Sequence, residues 1–259
     1  MIKSVCSAAC AAVVMLALSG CSGGSETATS TTPSPVPSST PTPTTSTPTA
    51  STPSAVPSTP PAKPARTAAQ LAKALLALAD LPPGFSVEKD EGGDDGSDVT
   101  VSSKDSRCAK LVAFSNADNP PGSKASAGQS YSGGAQGPFV DETIDAMGSP
   151  AAVRALQKSF KQAVAACRTM TLKVPGEGTS PISVREVAAP QVGADPVAVR
   201  FTATSGPLEG FEVTMVTTGV DDVVLALTVV NGLPEDIDGA TSAAVEKAQD
   251  VLGATKSGT

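Results

Sequence analysis

Cysteine is the residue type in this 259-residue chain best placed to do chemistry, and its five copies fall into two groups. Cys6, Cys10 and Cys21 crowd the N-terminus, while Cys108 and Cys167 stand far downstream. Cys21 follows Leu18-Ser19-Gly20, at the end of an apolar run from Val5 to Leu18 that begins after Lys3. A charged start, an apolar core and small residues at a cut site are the three parts of an export signal. The run is about 14 residues long, and about 20 are needed to span a bilayer, so it does not read as a membrane span.

Leu18-Ser19-Gly20-Cys21 resembles the bacterial lipobox. That resemblance implies diacylglycerol on the Cys21 thiol and cleavage just before it. Residues 1–20 are then a signal peptide. The mature protein is expected to start at Cys21, lipid-anchored on the extracytoplasmic face of the cell membrane. The membrane, reached through Cys21, is its first expected partner.

Cys108 and Cys167 both survive that cleavage. A cysteine pair in an exported domain reads as a disulfide, here closing a loop of 59 positions. The rival reading, two free thiols in redox chemistry, lacks a C-x-x-C spacing.

Other chemistry is sparsely supplied. The chain has no histidine. Ser-His-Asp and Cys-His catalysis, His-zinc sites and the commonest general base near neutrality are thereby excluded. Ser86-Val87-Glu88-Lys89 and Lys256-Ser257-Gly258 imitate fragments of Ser/Lys acyl-transfer enzymes. Those enzymes need the serine at a helix start, whereas Ser86 falls in an expected strand. Asp141 and Glu142 form a carboxylate pair, but neighbours on a strand point to opposite faces. Asp90, Glu91, Asp94, Asp95 and Asp98 form an acidic turn. Placing Gly96 at the sixth position of a calcium loop puts Ser102 where the bidentate Glu belongs, so the match fails. No metal and no cofactor are expected. Aromatics are 3% of residues, which leaves little for stacking on bases or sugars. Net charge is −7, or −8 once Lys3 leaves with the signal. An acidic chain repels phosphate backbones, so no nucleic-acid partner is expected.

The elements that would position any site begin late. From Ser22 to about Pro64 the sequence is mostly Ser, Thr and Pro, with almost nothing apolar to bury. Such a segment cannot offset its ordering entropy and stays extended. About 40 residues at about 3.1 Å each give a stalk reaching up to about 120 Å. Residues 21–66 thus read as the lipidated cysteine and its stalk, 67–253 as one domain, and 254–259 as a tail.

Within that domain, Thr67 is expected to cap a helix through Leu76, with Leu71, Leu75 and Leu78 on one face, before Leu81-Pro82-Pro83-Gly84 breaks it. Arg107 to Phe114 reads as a short helix carrying Cys108. Ser149 and Pro150 open the clearest helix, with Val153, Leu156, Phe160, Val164 and Cys167 on its inward stripe. Asp238 is expected to cap a last helix that ends at Gly253. Strands are expected at Phe85–Glu88, Val99–Val101, Ser126–Tyr131, Phe139–Ile144 and Ile182–Val187. Val197–Thr204 and Phe211–Thr218 alternate like half-buried strands, and Val223–Val230 is apolar enough to be central. The fold class is α+β: an antiparallel sheet of about five to six strands packed with helices.

Leu81-Pro82-Pro83-Gly84-Phe85, then Cys108-Ala109, then a helix ending in Cys167, then the strand meander, resembles the extracellular sensor domain of mycobacterial PknH-type Ser/Thr kinases. Actinobacterial exported lipoproteins carry the same module without a kinase. The resemblance covers about residues 68–253 and implies an α+β domain, a cleft and ligand sensing. The chain departs from it in having cysteines for one disulfide rather than two, and in having no Trp. The expected function is a membrane-anchored, non-catalytic module that binds an envelope ligand or protein. The alternatives are an envelope lipid carrier, which needs an apolar cavity, and a Ser/Lys-type hydrolase.

Overall fold

A computed structural model describes residues 65–88 and 99–253. Cys21, the Ser/Thr/Pro stalk, Lys89, the acidic turn at 90–98 and the Lys256-Ser257-Gly258 tail lie outside the described residues. No helix among the described residues is long and apolar enough to cross a membrane.

The strands are β1 (Ser86–Glu88), β2 (Thr100–Ser102), β3 (Ala125–Ser132), β4 (Phe139–Ala146), β5 (Thr169–Val174), β6 (Gly178–Val187), β7 (Ala194–Ala203), β8 (Glu212–Val220) and β9 (Val223–Val230). They form one sheet in the order β1-β3-β4-β9-β8-β7-β6-β5-β2. Each neighbouring pair is antiparallel. The helices are α1 (Ala68–Ala72), α2 (Ala109–Asn116), α3 (Pro150–Ala166) and α4 (Pro234–Leu252). The class is α+β, as expected, but the sheet has nine strands rather than five to six.

Two causes account for the difference. The three-residue strands β1 and β2 find ladder partners that make them the sheet edges. β5 has no counterpart among the expected strands, although Met170, Leu172 and Val174 alternate inward with Thr169, Thr171 and Lys173. A short strand directly behind a long helix offers few residues from which to read a period of two.

Each face of the sheet carries its own helices. Leu71, Leu75 and Leu76 from the α1 segment pack with Ile237, Ala244 and Val245 of α4 on Tyr131, Ile144, Leu225 and Leu227. On the opposite face, Leu111 of α2 and Phe160 and Val164 of α3 pack on Val199, Phe201, Val213 and Met215. Strands in the middle are therefore covered twice. β9 is buried at every position, as its unbroken apolar run requires. β8 differs from the expected half-buried strand, because Thr214, Thr217 and Thr218 are buried too. Threonine is well suited to this: its branched Cβ fits the pleat, and Thr218 donates its hydroxyl proton to the Val192 carbonyl at 2.8 Å.

α3 forms where its local signals put it. Ser149 Oγ accepts the Ala152 N–H at 3.2 Å and Pro150 takes the first helical position. Two other helices differ from expectation. α4 begins at Pro234, so Asp238 lies inside its first turns rather than capping it. Asp236 supplies the cap instead, its carboxylate accepting the Leu233 N–H at 2.8 Å. α1 ends at Ala72, the chain turns, and Leu76 is buried while Leu78 is 45% exposed. Arg66, just before α1, donates to Asp222 at 2.7 Å and to the Leu252 carbonyl at 3.3 Å.

Candidate functional site

Two places concentrate polar groups or open space. The first is a buried cluster beneath the α1 segment. Past Ala72 the backbone is irregular yet buried at Leu76, so its peptide groups need partners. Two side chains from adjacent strands provide them. Glu142 on β4 accepts the Leu76 N–H at 2.7 Å, and the Tyr131 hydroxyl on β3 donates to the Leu76 carbonyl at 2.5 Å. Glu142 is only 1% exposed, and its second oxygen, Oε1, has no hydrogen-bond partner. Burial raises its carboxyl from 4.5 to about 7. The bond from Leu76 and the charge of Lys247 oppose that rise, and Asp80 adds to it. Asp80 itself is held low, first by the bond from Lys247 on α4 and then by the Ala77 N–H. Burial also raises the Tyr131 hydroxyl well above its usual range.

This cluster holds backbone rather than a reacting group. Asp141 and Glu142 take opposite faces of β4, as strand geometry demands, and do not converge. Ser86 opens the edge strand β1, not a helix, and its exposed hydroxyl lies 3.5 Å from the Ser132 carbonyl. No group of three or more acidic, His or Cys residues among the described residues is arranged to hold a metal.

The second place is a cleft on the other side of the sheet, with a volume of about 520 Å³. Lys110, Ala113 and Phe114 of α2 form one wall. Ala152, Ala155, Leu156 and Ser159 of α3 form another, and Pro121, Gly122 and Lys124 close the end over Met147. Each wall is fixed from outside the cleft. Cys108 and Cys167 are bonded with their Cα atoms 4.6 Å apart, tying the start of α2 to the end of α3. Phe114 packs edge-on against Phe160, ring centroids 5.6 Å apart, which adds an aromatic contact between the two helices. The loop wall hangs from Asp145 on β4, which is buried and accepts the Ser123 hydroxyl at 2.8 Å. Desolvation raises this carboxyl, and the bonds from Ser123 and Ser126 pull it back. Lys124 N–H adds a 2.8 Å bond to the Ala146 carbonyl. Gly122 adopts φ +91 within this loop, a conformation that side-chained residues rarely take.

The floor is apolar. Met147, Val153, Leu156 and Val224 form a small core of their own, against which Phe114 and Ala152 pack. By contrast, the space under Val101, Leu172, Phe201 and Phe211 is about 10 Å³, so the core beneath β2 and its neighbours is filled. The sequence pointed to the cysteine pair that braces the cleft, and to Leu156 as an inward residue. It pointed to Glu142 only as half of a carboxylate pair, not as the acceptor for Leu76, and it did not point to Lys110, Lys124 or Asp145. Lys124 lies in a stretch without periodicity, and Asp145 on a strand where both faces turn out to be covered. Lys110 falls in an expected helix whose neighbours could not be read.

No protein-family model matches the chain, and no curated protein matches it. Among solved structures, the extracellular domain of PknH from Mycobacterium tuberculosis is similar at a TM-score of 0.54 and 17% identity, over 73% of this chain and 98% of that one. A putative uncharacterized protein from Mycobacterium smegmatis shows 16% identity and a TM-score of 0.37, over 71% of this chain and 95% of that one. This chain, over 73% of its length, shares the fold of the PknH extracellular domain across nearly the full length of that domain.

Proposed function

We propose that this protein is a membrane-anchored, extracytoplasmic ligand-binding module of sensor type, and that it is not an enzyme. The cleft between α2, α3 and the 121–124 loop carries this reading. Its volume lies within the range of about 300–1,000 Å³ common to small-molecule sites, and its lining is mostly apolar with a few polar groups. Its walls are braced by a disulfide and an aromatic pair, so the shape is preformed and binding spends little on ordering. The shared fold with an extracellular domain and the export-type N-terminus with Cys21 both favour a position outside the cytoplasm. The buried carboxylate Glu142 is committed to the backbone of Leu76, which favours binding over catalysis.

The full chain, extracted from membranes, should carry a small molecule visible by native mass spectrometry. Ala155→Trp places an indole in the cleft from an exposed position on α3 and should expel it. A ligand retained by that variant would place the binding site elsewhere and overturn the reading.

A further inference from the structure

We infer that the occupant of the α2–α3 cleft is an amphiphile with one apolar chain and a phosphate monoester head. This rests on the cleft being a ligand site, and it goes further by naming the ligand's chemistry. The chain is acidic overall, with 25 Asp and Glu against 18 Lys and Arg. Among the described residues, the lining of the cleft reverses that balance, with Lys110 and Lys124 and no carboxylate. Asp118, on the loop that leads into the cleft, is not among the lining residues. The two lysines come from different walls, one from α2 and one from the 121–124 loop, and both are exposed at the surface. The same lining includes the apolar side chains of Phe114, Met147, Leu156, Ala113, Ala152 and Ala155. Met147 is 6% exposed and Leu156 9%, so the apolar surface continues inward from the lysines.

This order, cations at the mouth and hydrocarbon below, suits a molecule that is charged at one end and apolar along its length. Two ammonium groups match a head carrying about two negative charges better than a singly charged one, and a phosphate monoester carries about −1.5 to −2 near neutrality. Lysine binds phosphate as a mobile point charge and needs no fixed fork geometry. In an acidic protein, a local positive site also draws anions away from the surrounding negative surface.

Isothermal titration of the full chain with dodecyl phosphate, dodecanol and inorganic phosphate tests the inference. Dodecyl phosphate should bind at least tenfold more tightly than either of the others. Lys110→Ala combined with Lys124→Ala should weaken dodecyl phosphate about tenfold and leave dodecanol unchanged. Ala155→Trp should weaken both. Dodecanol binding as tightly as dodecyl phosphate, and lost in Ala155→Trp, would keep the cleft as a ligand site and overturn the phosphate head. Inorganic phosphate binding as tightly as dodecyl phosphate would overturn the apolar chain. Dodecyl phosphate binding unchanged by Ala155→Trp would remove both the inference and the site. Circular dichroism of each variant separates loss of binding from loss of fold.

Discussion

Glu142 shows how one side chain can be both a structural partner and a source of pH dependence. Its carboxylate is inside the protein because Leu76 needs an acceptor there. The groups that face it are Tyr131 from β3, Asp80 from the 78–80 turn and Lys247 from α4. Burial moves its pKa from 4.5 to about 7, so the folded state holds its proton more tightly than the unfolded chain does. Its stabilisation is complete below about pH 4.5 and is lost as pH rises through about 7. The loss amounts to at most about 3 kcal/mol. Thermal midpoints measured from pH 5 to 8.5 should therefore fall with pH, and Glu142→Gln should flatten most of that fall. Asp145, which burial also raises, acts in the same sense as Glu142. Asp80 acts in the opposite sense, since its carboxyl is held low and it loses stabilisation only in acid. A wild-type midpoint that does not change between pH 5 and 8.5 would show that Glu142 is charged and compensated in the fold.

α3 is the element on which the cleft depends, and three kinds of contact hold it. Its cap is local, its stripe packs on β7 and β8, and its end is bonded to Cys108. The packing is close at one point. A Cβ built on Gly219 of β8 would lie 2.6 Å from Val153 Cγ1, so only glycine lets the helix approach the sheet there. Gly219→Ala should cost about 1–3 kcal/mol by overpacking, read as a shift in the denaturant midpoint. A neutral substitution would mean that Val153 turns aside freely. Cys108→Ser with Cys167→Ser removes the cross-link and should cost about 2–4 kcal/mol. The helix end near Ala166 should then exchange its amide protons faster than the first turns near Ser149. Uniform protection along α3 in the double variant would argue against the bond as the brace of that end.

At the scale of the whole chain, the sequence proposes a lipid on Cys21 and a Ser/Thr/Pro stalk ahead of the described domain. The tether and its lipid are proposals from the sequence. Two acyl chains buried at about 0.8 kcal/mol per CH₂ hold a protein on a bilayer. Cys21→Ala should abolish the lipid mass and release the protein from the membrane fraction, or leave it uncleaved. Normal lipidation and sedimentation with membranes would sink the anchor. Deleting Thr27 to Pro60 should leave the thermal midpoint almost unchanged, because that Ser/Thr/Pro segment offers almost nothing apolar to bury. A drop of more than a few degrees would show that the tether packs on the domain.

What could be read from the chain was what depends on near neighbours. Ser149, Pro150 and the inward stripe of α3 all lie between positions 149 and 167, and Gly253 ends α4 in the left-handed conformation its lack of a side chain permits. β9 announced its central place because only a strand covered on both faces can be apolar throughout. The cysteine pair was legible because so few partners were available. The misplaced features depend on distant partners. α1 stops short and Leu76 replaces Leu78 in the core because Tyr131 and Glu142, 55 and 66 residues away, accommodate its backbone. The burial of β8's threonines follows from helices on both faces of one sheet, which no period within β8 records. The cleft belongs to the same kind. Lys110, Lys124 and Leu156 share it because the sheet, the 108–167 bond and Asp145 set three separate segments around one space. A sequence encodes each wall through short-range preferences, but the gap between walls exists only after long-range packing has fixed them.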